Sequence, residues 1–174
     1  LGDVYKRQIA LYDAVLEAHP ESFLARTGKM ESILHEGRYR EARESILDLL
    51  EESPVDERLV ADLNKANVYV IAELEPKYKD SLLDQDGLME LAWCYYQNQR
   101  EPEALEVFDT FEPEGDEIFF YCNAKGRCYL ATGQTEKALP LFLRWKKAIE
   151  DIQPEEGGYT EEQNKRRKRY PYAH

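Results

Sequence analysis

Ala104 and Ala138 lie 34 residues apart, and the residues around each follow the same pattern. Glu103-Ala104-Leu105, Phe108 and Phe111 are answered by Lys137-Ala138-Leu139, Phe142 and Trp145. Tyr95 and Tyr129 each stand nine residues before their alanine. A third copy comes earlier, with Gly37, Tyr39, Ala42, Ile46, Leu49 and then Pro54. A fixed period of this length means one supersecondary unit stacked on copies of itself, each too small to bury its apolar face alone. Apolar residues recur at i, i+4 and i+7, which is helical spacing, and almost no segment alternates with period two. The unit is therefore a pair of helices, and the predicted architecture is all-α.

Each second helix opens its apolar stripe with alanine (Ala42, Ala104, Ala138), so the preceding helix can come close, and larger residues fill the widening gap beyond. Ala92 and Gly126 hold matching small positions on the first helices. Gly37 and Gly133 are the expected chain reversals, with Thr135 as an N-cap after the second. Gln99 stands where the middle copy should have that glycine, and a left-handed backbone there carries a cost. Pro102 suits a first helical turn. Pro140 falls further into its helix and predicts a bend or a late start.

These residues resemble the tetratricopeptide repeat, a helix–turn–helix of the same period. On that pattern the complete repeats are Phe23–Asp56, Gln85–Ile118 and Phe119–Ile152, preceded by a half repeat at Ile9–Pro20. The third copy matches best, through Gly126, Tyr129, Gly133, Ala138 and Phe142. The first copy has Lys29 and Met30 where an apolar and a small residue are usual, and no copy has the tryptophan common near the repeat start. Glu57–Asp84 is shorter than the period. Leu59, Leu63, Ala66, Val70, Ile71 and Leu74 make an apolar helix face there, with Asp56 as its cap. Glu75-Pro76-Lys77 is expected to break that helix, leaving Tyr78–Leu83 a short second one. The segment reads as a degenerate repeat, the alternative being a linker between two arrays. The resemblance implies a right-handed superhelical α-solenoid of about nine to eleven antiparallel helices.

The ends need separate treatment. Asp3-Val4-Tyr5-Lys6-Arg7-Gln8 looks like a translated sequencing-adapter end, and Gln8 falls where the half repeat should place a small residue. Residues 1–8 are accordingly set aside as a scar, and the chain reads as a fragment. Residues 153–174 read as a linker and the truncated start of a further helix, with Thr160-Glu161-Glu162-Gln163 as its capping box. The basic run Lys165–Arg169 can complement that helix's dipole, dock on an acidic neighbouring repeat, or bind nucleic acid or an anionic surface.

The resemblance also locates a site. Stacked first helices line a concave groove, and the family's groove positions fall on Met89, Trp93, Tyr96 and Gln97 in the second copy, with Asp86. In the third they fall on Phe120, Asn123 and Arg127, with Leu130 and Ala131; in the first on Leu24, Thr27, Glu31, Leu34 and His35. Trp, Tyr and Arg are residue types that dominate binding hot spots, and Met89 adds an adaptable contact. The same aromatics are equally suited to packing between neighbouring repeats. Asn123 and Arg127 echo part of a carboxylate clamp known in the family, but Thr27, Glu31, Met89 and Trp93 do not complete it.

Chemistry finds little support. There is no P-loop, G-x-G-x-x-G or H-E-x-x-H, and His19, His35 and His174 are scattered. Cys94, Cys122 and Cys128 lack C-x-x-C spacing and read as reduced, packed thiols of a cytoplasmic protein. The net charge of −12 opposes binding to phosphate backbones and suits a basic partner. No apolar stretch is long enough to span a membrane. The sequence thus predicts a non-catalytic protein- or peptide-binding scaffold with no metal, no cofactor and no nucleic-acid or membrane partner. The competing expectation is a regulatory or targeting module of a larger enzyme or chaperone cofactor. Removing residues 1–8 should leave the melting temperature nearly unchanged. A drop of more than a few degrees, about 1 kcal/mol for a chain of this size, would restore them to the fold.

Overall fold

The computed structural model describes residues 2–151. Among them every regular element is a helix: α1 (Gly2–Ala18), α2 (Phe23–His35), α3 (Tyr39–Glu52), α4 (Glu57–Lys79), α5 (Gln85–Gln97), α6 (Glu101–Phe108), α7 (Glu117–Ala131) and α8 (Thr135–Asp151). The further helix expected from Thr160, and the basic run, lie outside the described residues. The chain divides into two compact units, one running up to Val70 and the other starting at Ile71, so that α4 supplies residues to both.

In the first unit α1 packs on α2 and α2 on α3. Its core gathers Met30, Ile33 and Leu34 of α2, Ala42, Ile46, Leu47 and Leu49 of α3, and Leu59, Leu63 and Ala66 of α4. The alanine stripe of α3 is fully buried, as the close-approach argument requires. On α2 the close approach falls at Gly28 rather than at Met30: a Cβ on Gly28 would stand 2.3 Å from the Tyr12 ring of α1. Met30, buried, instead fills the space towards α3. Ser22 caps α2 by accepting from the Ala25 amide, and Asp56 caps α4 through the Arg58 and Leu59 amides. A buried polar link joins α3 to α4, Arg43 Nε donating to Asn67 Oδ1 at 2.7 Å. The first turns of α1 are not detached. Tyr5 stacks on His35 at 5.2 Å, and Gln8 accepts from the Ser32 hydroxyl. No residue of α1 is fully buried, however, so these contacts stay close to water.

In the second unit α5 packs on α6, α6 on α7 and α7 on α8, with α5 and α7 also touching. Ala104, Phe108 and Ala138 are buried. A Cβ on Gly126 would come within 2.9 Å of the Phe142 ring, so α7 and α8 approach closely where the small residue was expected. The third stripe member of the middle copy is reached differently. α6 stops at Phe108, and Phe111 takes its place from the following turn, against Phe108 and Tyr121. The Tyr121 hydroxyl lies 2.8 Å from the Phe108 carbonyl and 3.2 Å from that of Phe111, and it accepts from Lys125 Nζ at 2.8 Å. Lys125 in turn pairs with Asp109 at 2.8 Å. The carbonyls left open by the early helix end are thus met by side chains.

The break expected at Pro76 and the late helix start expected at Pro140 are not found. α4 runs unbroken through Pro76 to Lys79, and Tyr78–Leu83 form no helix of their own. α8 starts at Thr135 and continues through Pro140, so Thr135 is its first residue rather than its cap. A proline removes one amide donor, and a helix packed along its length can absorb that loss.

Four helix ends share one geometry. Gly37, Ser81, Gln99 and Gly133 all have positive φ, at 86°, 56°, 58° and 75°. At each, the next amide reaches back five residues and the residue's own amide reaches back three. Arg100 N to Tyr95 O is 2.8 Å and Gln99 N to Tyr96 O is 3.1 Å, as in a Schellman cap. At two of these caps a side chain bears the left-handed cost, of roughly 1 kcal/mol. Gln99→Gly should therefore raise stability by about 1 kcal/mol, read as a higher urea midpoint with unchanged slope. An unchanged or lowered midpoint would show that the Gln99 side chain compensates the strain.

Candidate interaction face

The residues expected to bind a partner come from α5 and α7. Asp84 fixes the start of α5 by accepting from the Gly87 amide at 2.9 Å. The reversal at Gln99 ends it, so the positions from Met89 to Gln97 lie on a helix closed at both ends. α7 runs from Glu117 to Ala131, ending at the Gly133 reversal.

Groove residues should face solvent, and four of the seven do not. Met89, Trp93, Phe120 and Asn123 are buried, Trp93 with 0% of its surface exposed. The cause is the contact between α5 and α7, whose facing rings fill the space. Trp93 meets Phe120 edge-on at 6.5 Å and Tyr96 edge-on at 5.5 Å. The chain of rings continues through Phe119 (5.1 Å from Phe120) to Trp145 on α8 (5.8 Å) and Phe142. Such edge-to-face pairs add about 0.5–1.5 kcal/mol each beyond the area they bury. Phe119 was missed as part of this row, and the adjacent Phe119-Phe120 pair was the available signal. Two neighbouring rings about 100° apart on a helix cannot both turn to one groove.

What remains reachable is a smaller, polar set. Tyr96 and Gln97 are half-buried and Arg127 is exposed. Arg127 donates from Nε to the buried Asn123 Oδ1 at 2.9 Å, a contact one helical turn long. Burial pushes the Tyr96 hydroxyl up to about 12, opposed by the charge of Arg127 and a hydrogen bond from it. Tyr96 stays a neutral phenol at any physiological pH, and Asn123 and Tyr96 together fix the guanidinium's direction. Among the described residues no carboxylate pairs with Arg127, which leaves a rigid donor fork facing outward. In the first unit Leu24 and His35 are exposed, while Leu34 is buried and Glu31 is held by Arg58.

The cysteines do not offer a nucleophile. Cys94, Cys122 and Cys128 are buried thiols, and burial raises Cys122 and takes Cys128 to about 12. No group of His, Cys, Asp and Glu among the described residues could hold a metal ion. No helix among them is long and apolar enough to cross a membrane.

The helix pairs, their shared reversals and the alanine stripes define a helical-repeat protein. Residues 6–57, under a third of the chain, match the family model described as tetratricopeptide repeat. The match begins within Lys6-Arg7-Gln8, set aside above as scar. None of the curated proteins and none of the solved structures compared matches the chain.

Burial separates two roles within the expected site. Trp93→Ala should destabilise by about 3–5 kcal/mol, as a large aromatic removed from a packed interior does. Arg127→Ala should cost about 1 kcal/mol or less. Chemical denaturation of both variants checks this. Equal losses would place Arg127 in the packing framework.

Proposed function

We propose that the chain is a non-catalytic scaffold that holds a peptide or protein segment against the α5–α7 face, through Tyr96, Gln97 and Arg127. Repeats of this family mediate protein–protein interaction, which supports the class of partner. One observation carries the choice of face: an exposed guanidinium whose direction is set by a buried asparagine and a tyrosine. Pre-set donors lose little entropy on binding, and that makes such a group an anchor. Met89, Trp93, Phe120 and Asn123 serve as the rigid floor beneath it. The net charge of −12 favours a segment that is basic overall, offering a carbonyl or carboxylate opposite Arg127. The acidic balance does not favour nucleic-acid binding. The cysteine pattern supports a cytoplasmic setting.

Display of a random peptide library against the full chain tests the reading. Selected peptides should lose about tenfold or more in affinity to Arg127→Ala, about 1.4 kcal/mol or more, with helicity unchanged by circular dichroism. Peptides that bind the variant as tightly as the parent would move the site elsewhere.

A further inference from the structure

We propose that α8 pairs antiparallel with the α8 of a second copy of this chain, about a two-fold axis at Leu141. The observation is an apolar stripe left open at one position of the repeat. Leu139 and Leu143 are each 60% exposed. Of their counterparts earlier in the chain, Asp109 (one period before Leu143) is exposed, and the other three are covered by the helix that follows. Leu105, one period before Leu139, is 7% exposed with α7 packed on α6. In the first copy the equivalents are Arg43 and Leu47, at 5% and 3%, beneath the α4 residues Leu59, Leu63, Ala66 and Asn67. The first copy thus accepts a helix at both positions, and on α8 the same face is apolar and, among the described residues, uncovered.

The pattern along α8 says what fits it. Glu136, Leu139, Leu143 and Lys146 are all exposed, and at 100° per residue they share one face. Their spacing is symmetric about residue 141. An antiparallel copy turned about that point sets Leu139 against Leu143 of the other copy, and Glu136 against Lys146 of the other copy. Every contact then occurs twice, as an isologous interface requires. The apolar pairs lie at the centre and the opposite charges at the rim, the usual order of an interface. Residues 153–174 are a poor alternative cover. They contain no Leu, Ile, Val, Met, Phe or Trp to set against Leu139 and Leu143. The proposal rests on α8 alone and does not depend on the α5–α7 reading.

Sedimentation velocity on the full chain, across micromolar to millimolar concentrations, tests it. The parent should pass from monomer to dimer, while Leu143→Glu stays monomeric with unchanged helicity. Lys146→Glu, which keeps the apolar pair, should raise the dissociation constant at least tenfold by opposing Glu136 of the other copy. The double variant Glu136→Lys/Lys146→Glu should bring it back towards the parent value. A parent that is monomeric throughout overturns the proposal, leaving the face to a different protein or to residues 152–174. A dimer indifferent to Leu143→Glu also overturns it, as does a charge exchange that fails to restore association.

Discussion

The approach of two helices at a small residue is the constraint on which the rest of this molecule depends. Ala42, Ala104 and Ala138 are almost completely buried, and Gly28 and Gly126 have aromatic rings where a Cβ would stand. With the backbones so near, the larger residues one and two turns on (Ile46 and Leu49, Phe108, Phe142 and Trp145) meet a partner helix instead of water. Burying each such side chain contributes about 1.5–3 kcal/mol. A larger residue at the alanine would separate the helices and loosen every contact further along. The short connections follow too, since close antiparallel helices need a tight reversal, and all four left-handed caps share one pair of hydrogen bonds.

Two half-buried polar clusters complete the backbone and the packing. Lys125 is the clearest case. Burial alone would lower its affinity for a proton, but Asp109 and the Tyr121 hydroxyl outweigh that and raise it. The charge holds down the turn that follows α6. Tyr95 donates to Glu75 at 2.6 Å, which holds the Glu75 carboxyl below its ordinary range and ties α5 to the end of α4. Each group is committed to a neighbour, as a structural role requires.

The aromatic row from Tyr96 to Phe142 changes what the α5–α7 face can do. With the large rings turned inward, the face offers a few fixed polar groups on a stiff base in place of an open aromatic trough. Rigidity is the gain, because Arg127 is oriented by side chains that cannot move independently of the core. α8 shows the reverse case, with large apolar side chains on the outside at a place where this chain elsewhere lays down another helix.

Period, helix content, the alanine stripes, the chain reversals and the strain at Gln99 were legible in the residues themselves. They are local facts: spacing along one helix, or the backbone that a reversal demands. The α4 face was legible for the same reason, with Leu59, Leu63, Ala66, Val70, Ile71 and Leu74 all buried. Which way Trp93 and Phe120 turn was not, because periodicity places a residue on a helix face but does not say whether a neighbour closes over it. Only the distance between α5 and α7 decides that. The fates of Pro76 and Pro140 and the early end of α6 are of the same kind. A proline's local cost or a helix's last turn is settled by whatever packs beside it, and that partner is remote in sequence.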